Sequence, residues 1–205
     1  VSELTQRGHS ELILGMMDKL FEQADTTISS VEAIAFGRGP GSFTGVRVGV
    51  SVAQGIAFAR DVPVIPISSL AAVAQQGLNI VDADHFAVAI DARMGEIYCA
   101  HYKRDEKVAV LLDEERVCSP MNFLPRDEKK VVGMGTGWRT YATELTRQFS
   151  AQLTDIKPEA YPTASGIIEL AQVEIAAGRL LSADLALPVY LRDNVAKKKA
   201  DQANG

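Results

Sequence analysis

Two segments of the chain share one pattern, in which a short apolar strand runs through a glycine-rich loop into a helix. In the first, a strand at residues 31–36 and a helix at 46–60 flank the loop GRGPGSFTG, residues 37–45. In the second, a strand at 130–134 and a helix at 138–149 flank the loop GTGW. Strands that alternate with helices predict an α/β protein in which helices cover a sheet. One such loop in each half further predicts two lobes with a cleft between them.

Hydrophobic periodicity divides the chain into a first lobe at 1–80, a second lobe at 81–187 and a tail at 188–205. The tail is expected to pack on the first lobe and then become disordered. The other predicted elements are helices at 9–24, 70–76 and 164–177 and strands at 63–67, 85–91, 96–102 and 108–112. The first lobe contains only two convincing strands, and two strands rarely support a sheet alone. We therefore expect the natural protein to begin earlier, with strands that this sequence lacks.

Composition narrows the class of protein. Hydrophobic residues make up 47% of the chain and charged residues 23%, which is typical of a folded globular protein. No apolar run is long enough to span a membrane and no signal peptide is visible, so the sequence predicts a cytoplasmic protein without a membrane partner. The two cysteines favour a reducing compartment. The net charge of −5 argues against unaided binding of nucleic acid.

The first glycine loop is a candidate site for a phosphate or nucleotide. Glycines let backbone amides approach an anion, and the N-terminus of the following helix adds its dipole. The loop is not a P-loop, because it has neither the required spacing nor a lysine. A tight strand-to-helix turn explains the glycines equally well, so the spacing leaves both interpretations open. The candidate residues are Gly39, Gly41, Ser42, Thr44 and Gly45, with Gly135 and Thr136 in the second loop.

Two helices carry unusual faces. Small residues recur every four positions after the first glycine loop, and they predict a smooth stripe that another helix can approach closely. The helix at 9–24 has two adjacent apolar stripes, which is wider than contact with one sheet requires. Together they suggest a helical docking surface, although close packing inside the chain is the ordinary alternative. The candidate interface residues are Leu12, Ile13, Met16, Met17, Leu20, Gly45, Gly49 and Ala53.

Other chemistry is weakly supported. Asp91, Arg93 and Glu96 surround a turn at a strand end, and the interpretation we favour is an ion pair with turn chemistry around Gly95. The histidines lack a metal-ligand spacing and Ser42 lacks an elbow context, so neither a metal site nor a catalytic residue is predicted.

Five motifs resemble the bacterial TsaB (YeaZ) family. They are GRGPGSFTGVRVGVSVAQGIAF, VPVIPISSL, AIDARMGEIY, GMGTGW and PVYLRDN, and the match runs from residue 2 to about 198. The resemblance implies a two-lobed actin/Hsp70-like fold. Family members open with a strand hairpin that is missing here, which agrees with the expectation of an incomplete first lobe and puts a nucleotide site that uses the hairpin turn in doubt.

The resemblance also implies a function. Family members are non-catalytic scaffolds that bind and activate TsaD, which forms N6-threonylcarbamoyladenosine beside the tRNA anticodon. Ser69 and Val73 match the positions of TsaD's two metal-binding histidines, and neither side chain can replace imidazole. The implied partners are a TsaD-type paralogue, a TsaE-type ATPase, tRNA only through the complex, and a second copy when TsaD is absent. The resemblance further implies that this chain needs no cofactor of its own and that ATP or ADP can bind at the interface with the partner. The alternative is an enzyme, either a nucleotide hydrolase or a glycoprotease-like peptidase.

Overall fold

A computed structural model describes residues 1–3 and 9–192, without the side chains of residues 9–11. The chain begins with helix α1 (His9–Gln23). Strand β1 (Ile34–Gly39), helix α2 (Phe43–Arg60) and strand β2 (Val64–Ser68) follow, and β1 and β2 pair in parallel. Within the described residues this first sheet has two strands, so the presence of further strands ahead of residue 1 stays a prediction.

The second sheet contains six strands. Helix α3 (Ser69–Ile80) leads into the antiparallel strands β3 (His85–Arg93), β4 (Glu96–Asp105), β5 (Val108–Leu111) and β6 (Arg116–Cys118). Strands β7 (Val131–Met134) and β8 (Leu153–Lys157) add on in parallel, giving the order β5-β4-β3-β7-β8, with β6 also paired to β4. Helices α4 (Gly137–Thr140) and α5 (Ala142–Gln148) lie between β7 and β8, and α6 (Ala164–Ala176) follows β8.

The structure confirms several helix ends that were predicted from neighbouring residues. The Ser68 side chain accepts hydrogen bonds from the amides of Leu70 and Ala71 and begins α3. Thr163 caps α6 through the amide of Gly166. Gly178 follows α6 with φ +69°, the left-handed conformation that a C-terminal glycine adopts easily.

Three elements differ from the sequence prediction. The helix expected at 138–149 is two helices, because the backbone of Tyr141 leaves the helical region at φ −121° and ψ 41°. Strands β6 and β8 were not predicted. β6 has only three residues, and β8 reads LTDIK, which lacks clear alternation of apolar side chains. β6 is a strand because it pairs with β4, and β8 because it pairs with β7. Their own sequences do not indicate this pairing.

Helices cover both sheets. α2 packs on one face of the first sheet through Val50, Ala53 and Ala57, and α6 packs on its other face through Leu170 and Ala171. On the second sheet, α3 covers one face, while α4 and α5 cover the other with Trp138, Leu145 and Phe149. α6 lies in the range predicted as the second lobe, yet it packs on the first sheet. A division at residue 80 therefore describes the order of the chain better than the packing of its helices.

Candidate functional site

The first glycine loop is shorter than the sequence indicates. β1 continues through Gly39, and a cis peptide bond joins Gly39 to Pro40. Ser42 is the N-cap of α2, and its hydroxyl accepts a hydrogen bond from the amide of Gly45 at 3.1 Å. α2 thus begins at Phe43, so Thr44 and Gly45 lie in its first turn rather than in a loop. The Gly45 amide is already paired, which leaves fewer amides for an anion than the glycine count suggests.

A cleft of about 640 Å³ lies between this loop, the β3–β4 turn and residues 189–192, which we call the C-terminal segment. Gly41 and Ser42 line it from the first lobe, and Asp91 and Arg93 line it from the second. The fold therefore brings the first loop and the turn charges together, as the two-lobed interpretation requires. Gly135 and Thr136 are not among the lining residues.

The second glycine loop forms hydrogen bonds to neighbouring strands of the second sheet. The amide of Gly135 donates to the carbonyl of Lys157 at 3.0 Å, and the hydroxyl of Thr136 accepts from the amide of Asp91 at 3.1 Å. Gly135 is buried, and a Cβ there would lie 2.6 Å from the carbonyl oxygen of Ala89. These glycines allow a close approach of backbone to backbone.

The charges of the β3–β4 turn hold the turn itself. Asp91 accepts a hydrogen bond from the amide of Arg93 at 2.8 Å and forms an ion pair with its guanidinium at 3.3 Å. Gly95 has φ +79°, and Glu96 forms an ion pair with Arg192 from the C-terminal segment. The favoured interpretation of these residues, an ion pair around a glycine turn, agrees with this geometry.

The C-terminal segment contacts both lobes beside the cleft. The amide of Val189 donates to the carbonyl of Arg38 at 2.8 Å, next to the end of β1. The hydroxyl of Tyr190 accepts from the Arg47 guanidinium, which also lies over the ring of Phe43 at 3.7 Å. Residues 193–205, the expected disordered end, lie outside the described residues.

Helix α1 is the least buried of the α-helices in the described chain. None of its described side chains, residues 12–23, is buried. Leu14 and Leu20 are 57% and 49% exposed, respectively. Leu20 was among the predicted interface residues and Leu14 was not; the remaining predicted residues of this helix, Leu12, Ile13, Met16 and Met17, are half-buried. A helix with two apolar stripes and no buried side chain among those described is unusual in a folded protein, because most helical stability comes from packing an apolar face.

Helix α2 presents part of its predicted face outward. A Cβ at Gly49 would meet no other atom within 4 Å, so this position is open to a close neighbour. The prediction for Ala53 was wrong, because Ala53 is 5% exposed and packs in the core of this chain with Phe36 and Val64. Residues four apart turn by roughly 40° around a helix, so a stripe with this spacing passes gradually from the outer face to the core.

A polar cluster on β4 escaped the sequence analysis. His101 is buried, and its Nδ1 lies 2.7 Å from the carboxylate of Asp113, which also pairs with Arg116. Burial raises the pKa of Asp113, but hydrogen bonds from His101 outweigh burial and leave that pKa below its usual value. The only available signal was three charged residues at 113–115 after a strand, which is too common a pattern to indicate a partner.

The described residues contain no group of three or more histidine, cysteine or acidic side chains placed to hold a metal ion. Ser69 and Val73 lie one turn apart on α3 and both are buried. In the described part of the chain, every helix is too short or too polar to cross a membrane.

These features define a mixed α/β protein with two helix-covered sheets and a cleft between them. A family model described as "TsaD: tRNA N6-adenosine threonylcarbamoyltransferase" matches residues 1–200. The chain is 42% identical to the tRNA threonylcarbamoyladenosine biosynthesis protein TsaB of Haemophilus influenzae, over 97% of this chain and 86% of the relative. The Escherichia coli protein of the same name is 37% identical, over 96% and 86%.

Solved structures agree with the sequence relatives. A Pseudomonas aeruginosa protein described as similar to peptidase YeaZ superposes with a TM-score of 0.87 at 38% identity, covering 93% of this chain and 87% of that one. YeaZ from Pseudomonas aeruginosa gives a TM-score of 0.83 at 36% identity, covering 92% and 87%. The chain belongs to the TsaB (YeaZ) family and has its two-lobed actin-like α/β fold.

Proposed function

We propose that this chain is a non-catalytic subunit of the machinery that forms N6-threonylcarbamoyladenosine in tRNA. In this proposal it binds and activates a TsaD-type catalytic partner through α1 and the outward face of α2. The names of the relatives supply the pathway. The observation that carries the mode of action is the exposure of α1, whose described side chains include none that is buried.

The exposed helical surface has a physical cost that a partner would remove. Burying a leucine side chain completely contributes about 1.5–3 kcal/mol, and Leu14 and Leu20 are each about half exposed. Met16 and Met17 are flexible side chains that adapt to a partner surface. On α2, no other atom lies within 4 Å of a Cβ placed at Gly49, so another backbone can approach this position closely. A second copy of the chain would cover the same surface when the catalytic partner is absent.

The proposal places nucleotide at the interface with the partner rather than on this chain alone. The amides of Gly45 and Gly135 are both committed to internal hydrogen bonds. In this proposal a partner closes the cleft that Ser42 and Arg93 line. A TsaE-type ATPase and tRNA then act through the assembled complex, which suits a chain whose net charge is −5.

Two leucine substitutions on α2 test the docking face. Gly49→Leu should fill the close contact and weaken both the homodimer and the complex with a TsaD-type protein by at least about fivefold, because overpacking costs about 1–3 kcal/mol. Gly55→Leu is the matched control. A Cβ at Gly55 would also meet no other atom within 4 Å, and this position lies roughly 120° from Gly49 around the same helix. Sedimentation velocity measures both equilibria.

A reconstituted modification assay tests the function itself. With the TsaD-type and TsaE-type proteins of Haemophilus influenzae and its tRNA, modification should require this chain and fall with Gly49→Leu in proportion to the loss of binding. Equal effects of the two leucine variants would place the interface elsewhere. Full modification without the chain, or peptide cleavage by the chain alone, would overturn the proposed role.

A further inference from the structure

The two cysteines of the chain meet across a pair of strands. Cys99 on β4 lies opposite Arg116 of β6, and Cys118 lies opposite Ile97. Side chains two residues apart on a strand share a face, so both thiols project to the same side of the sheet. Their sulfur atoms are 3.4 Å apart, and one thiol donates a hydrogen bond to the other. The positions of the two cysteines in the sequence did not predict this contact.

The two thiols differ in environment. Cys99 is fully buried, whereas Cys118 is half-buried and therefore reachable from solvent. The hydrogen bond from Cys99 lowers the pKa of Cys118 to about 7; burial opposes this shift, and the nearby guanidinium of Arg116 adds to it. The same hydrogen bond, together with burial, raises the pKa of Cys99. Cys118 is consequently the better nucleophile, since the thiolate is the reactive form.

Strand β6 has the freedom that bond formation needs. The two sulfur atoms are 3.4 Å apart, and a disulfide bond is roughly 2.05 Å long. Bond formation therefore requires them to approach each other by about 1.4 Å. β6 is three residues long, all of its residues are half-buried, and in the described chain it pairs with β4 alone. A short edge strand can shift by such a distance more easily than a central one, because few packed neighbours move with it.

We propose that Cys99 and Cys118 form a reversible dithiol–disulfide pair that fastens β6 to β4 when the chain meets a small-molecule disulfide. The Cys118 thiolate attacks one sulfur of glutathione disulfide, which forms a mixed disulfide and releases one glutathione thiolate. The Cys99 thiol then attacks the Cys118 sulfur and gives its proton to the leaving glutathione thiolate, which forms the protein disulfide and releases the second glutathione. The protein loses two electrons and two protons, and glutathione disulfide is reduced to two molecules of glutathione.

The test incubates the full chain with glutathione disulfide at neutral pH, followed by acid quench, intact mass measurement and mapping of peptides. The wild-type chain should lose two hydrogen atoms, give one peptide pair that links Cys99 to Cys118, and regain both thiols with dithiothreitol. Hydrogen exchange at the amides of β6 should slow at least tenfold in the oxidised form.

Two serine variants separate the steps. Cys99→Ser should stop at a stable glutathione adduct on Cys118, because no second thiol resolves it. Cys118→Ser should form no adduct while folded, because Cys99 is buried. The proposal is overturned if the wild-type chain keeps two free thiols, stops at the same adduct as Cys99→Ser, or links two chains. Unchanged exchange in β6 after oxidation would contradict the fastening of the strand.

Discussion

Replacing Gly135 by alanine should destabilise the protein strongly. The residue has φ +98°, a conformation that costs a side-chain-bearing residue about 1–3 kcal/mol. An added Cβ would also lie 2.6 Å from the carbonyl oxygen of Ala89, and overpacking against backbone costs about 1–3 kcal/mol more. The two terms together predict a loss of about 2–6 kcal/mol in the free energy of unfolding. For a chain of this size that corresponds to a Tm lower by about 5–20 °C.

Two further glycine-to-alanine variants separate these terms. Gly178 has φ +69°, but an added Cβ there would meet no atom within 4 Å, so Gly178→Ala should lose only about 1 kcal/mol, from backbone strain. Gly49 lies inside α2 with no atom within 4 Å and without a positive φ, so Gly49→Ala should gain up to about 1 kcal/mol from helix propensity. Urea unfolding at one temperature gives all three values on the same scale.

The ranking of the three variants decides between packing and ligand binding at the second glycine loop. If Gly135→Ala unfolds at the same urea concentration as Gly178→Ala, the close approach to Ala89 does not limit the stability of the loop. If instead adenine nucleotide raises the Tm of the wild-type chain and Gly135→Ala loses only that increase, the loop is a ligand site and the argument from packing is refuted.

Two other predictions follow from polar contacts. In Asp113→Asn the free energy of unfolding should fall less steeply than in the wild-type chain as pH drops below 3.8. Urea unfolding between pH 5 and pH 2 measures this slope. The reason is that hydrogen bonds from His101 depress the pKa of Asp113 in the folded state; that stabilisation is fully present above the unfolded value and disappears as pH falls through the folded one. Arg192→Ala should release the C-terminal segment from Glu96 and speed amide exchange at residues 189–192, whereas Arg179→Ala, which removes an exposed local pair, should not.

These two predictions fail in different ways. Identical slopes for Asp113→Asn and the wild-type chain below pH 3.8 would mean that the contact with His101 adds nothing to stability. Equal exchange in the two arginine variants would mean that the backbone bond from Val189 to Arg38 holds the segment without help from the ion pair.

The sequence by itself determined the features that depend on neighbouring residues. The strand–loop–helix order, the Ser68 cap and the terminating Gly178 were all predicted, because periodicity, side-chain caps and left-handed turns act within a few residues. The ion pair around Gly95 belongs to the same group. The paired glycine loops also indicated two lobes with a cleft between them, and the motifs that resemble the TsaB family added that the fold is actin/Hsp70-like.

Only the tertiary structure decided which residues of α2 are open to the outside and which serve the chain's own core. Ala53 is buried because β1 and β2 lie against that side of α2, and no pattern within the helix distinguishes it from Gly49. Gly135 packs on Ala89 and Cys99 meets Cys118 because the second sheet places distant segments side by side. Contacts of this kind are set by the pairing of whole strands, and a single sequence records the residues of each strand but not the strand beside it.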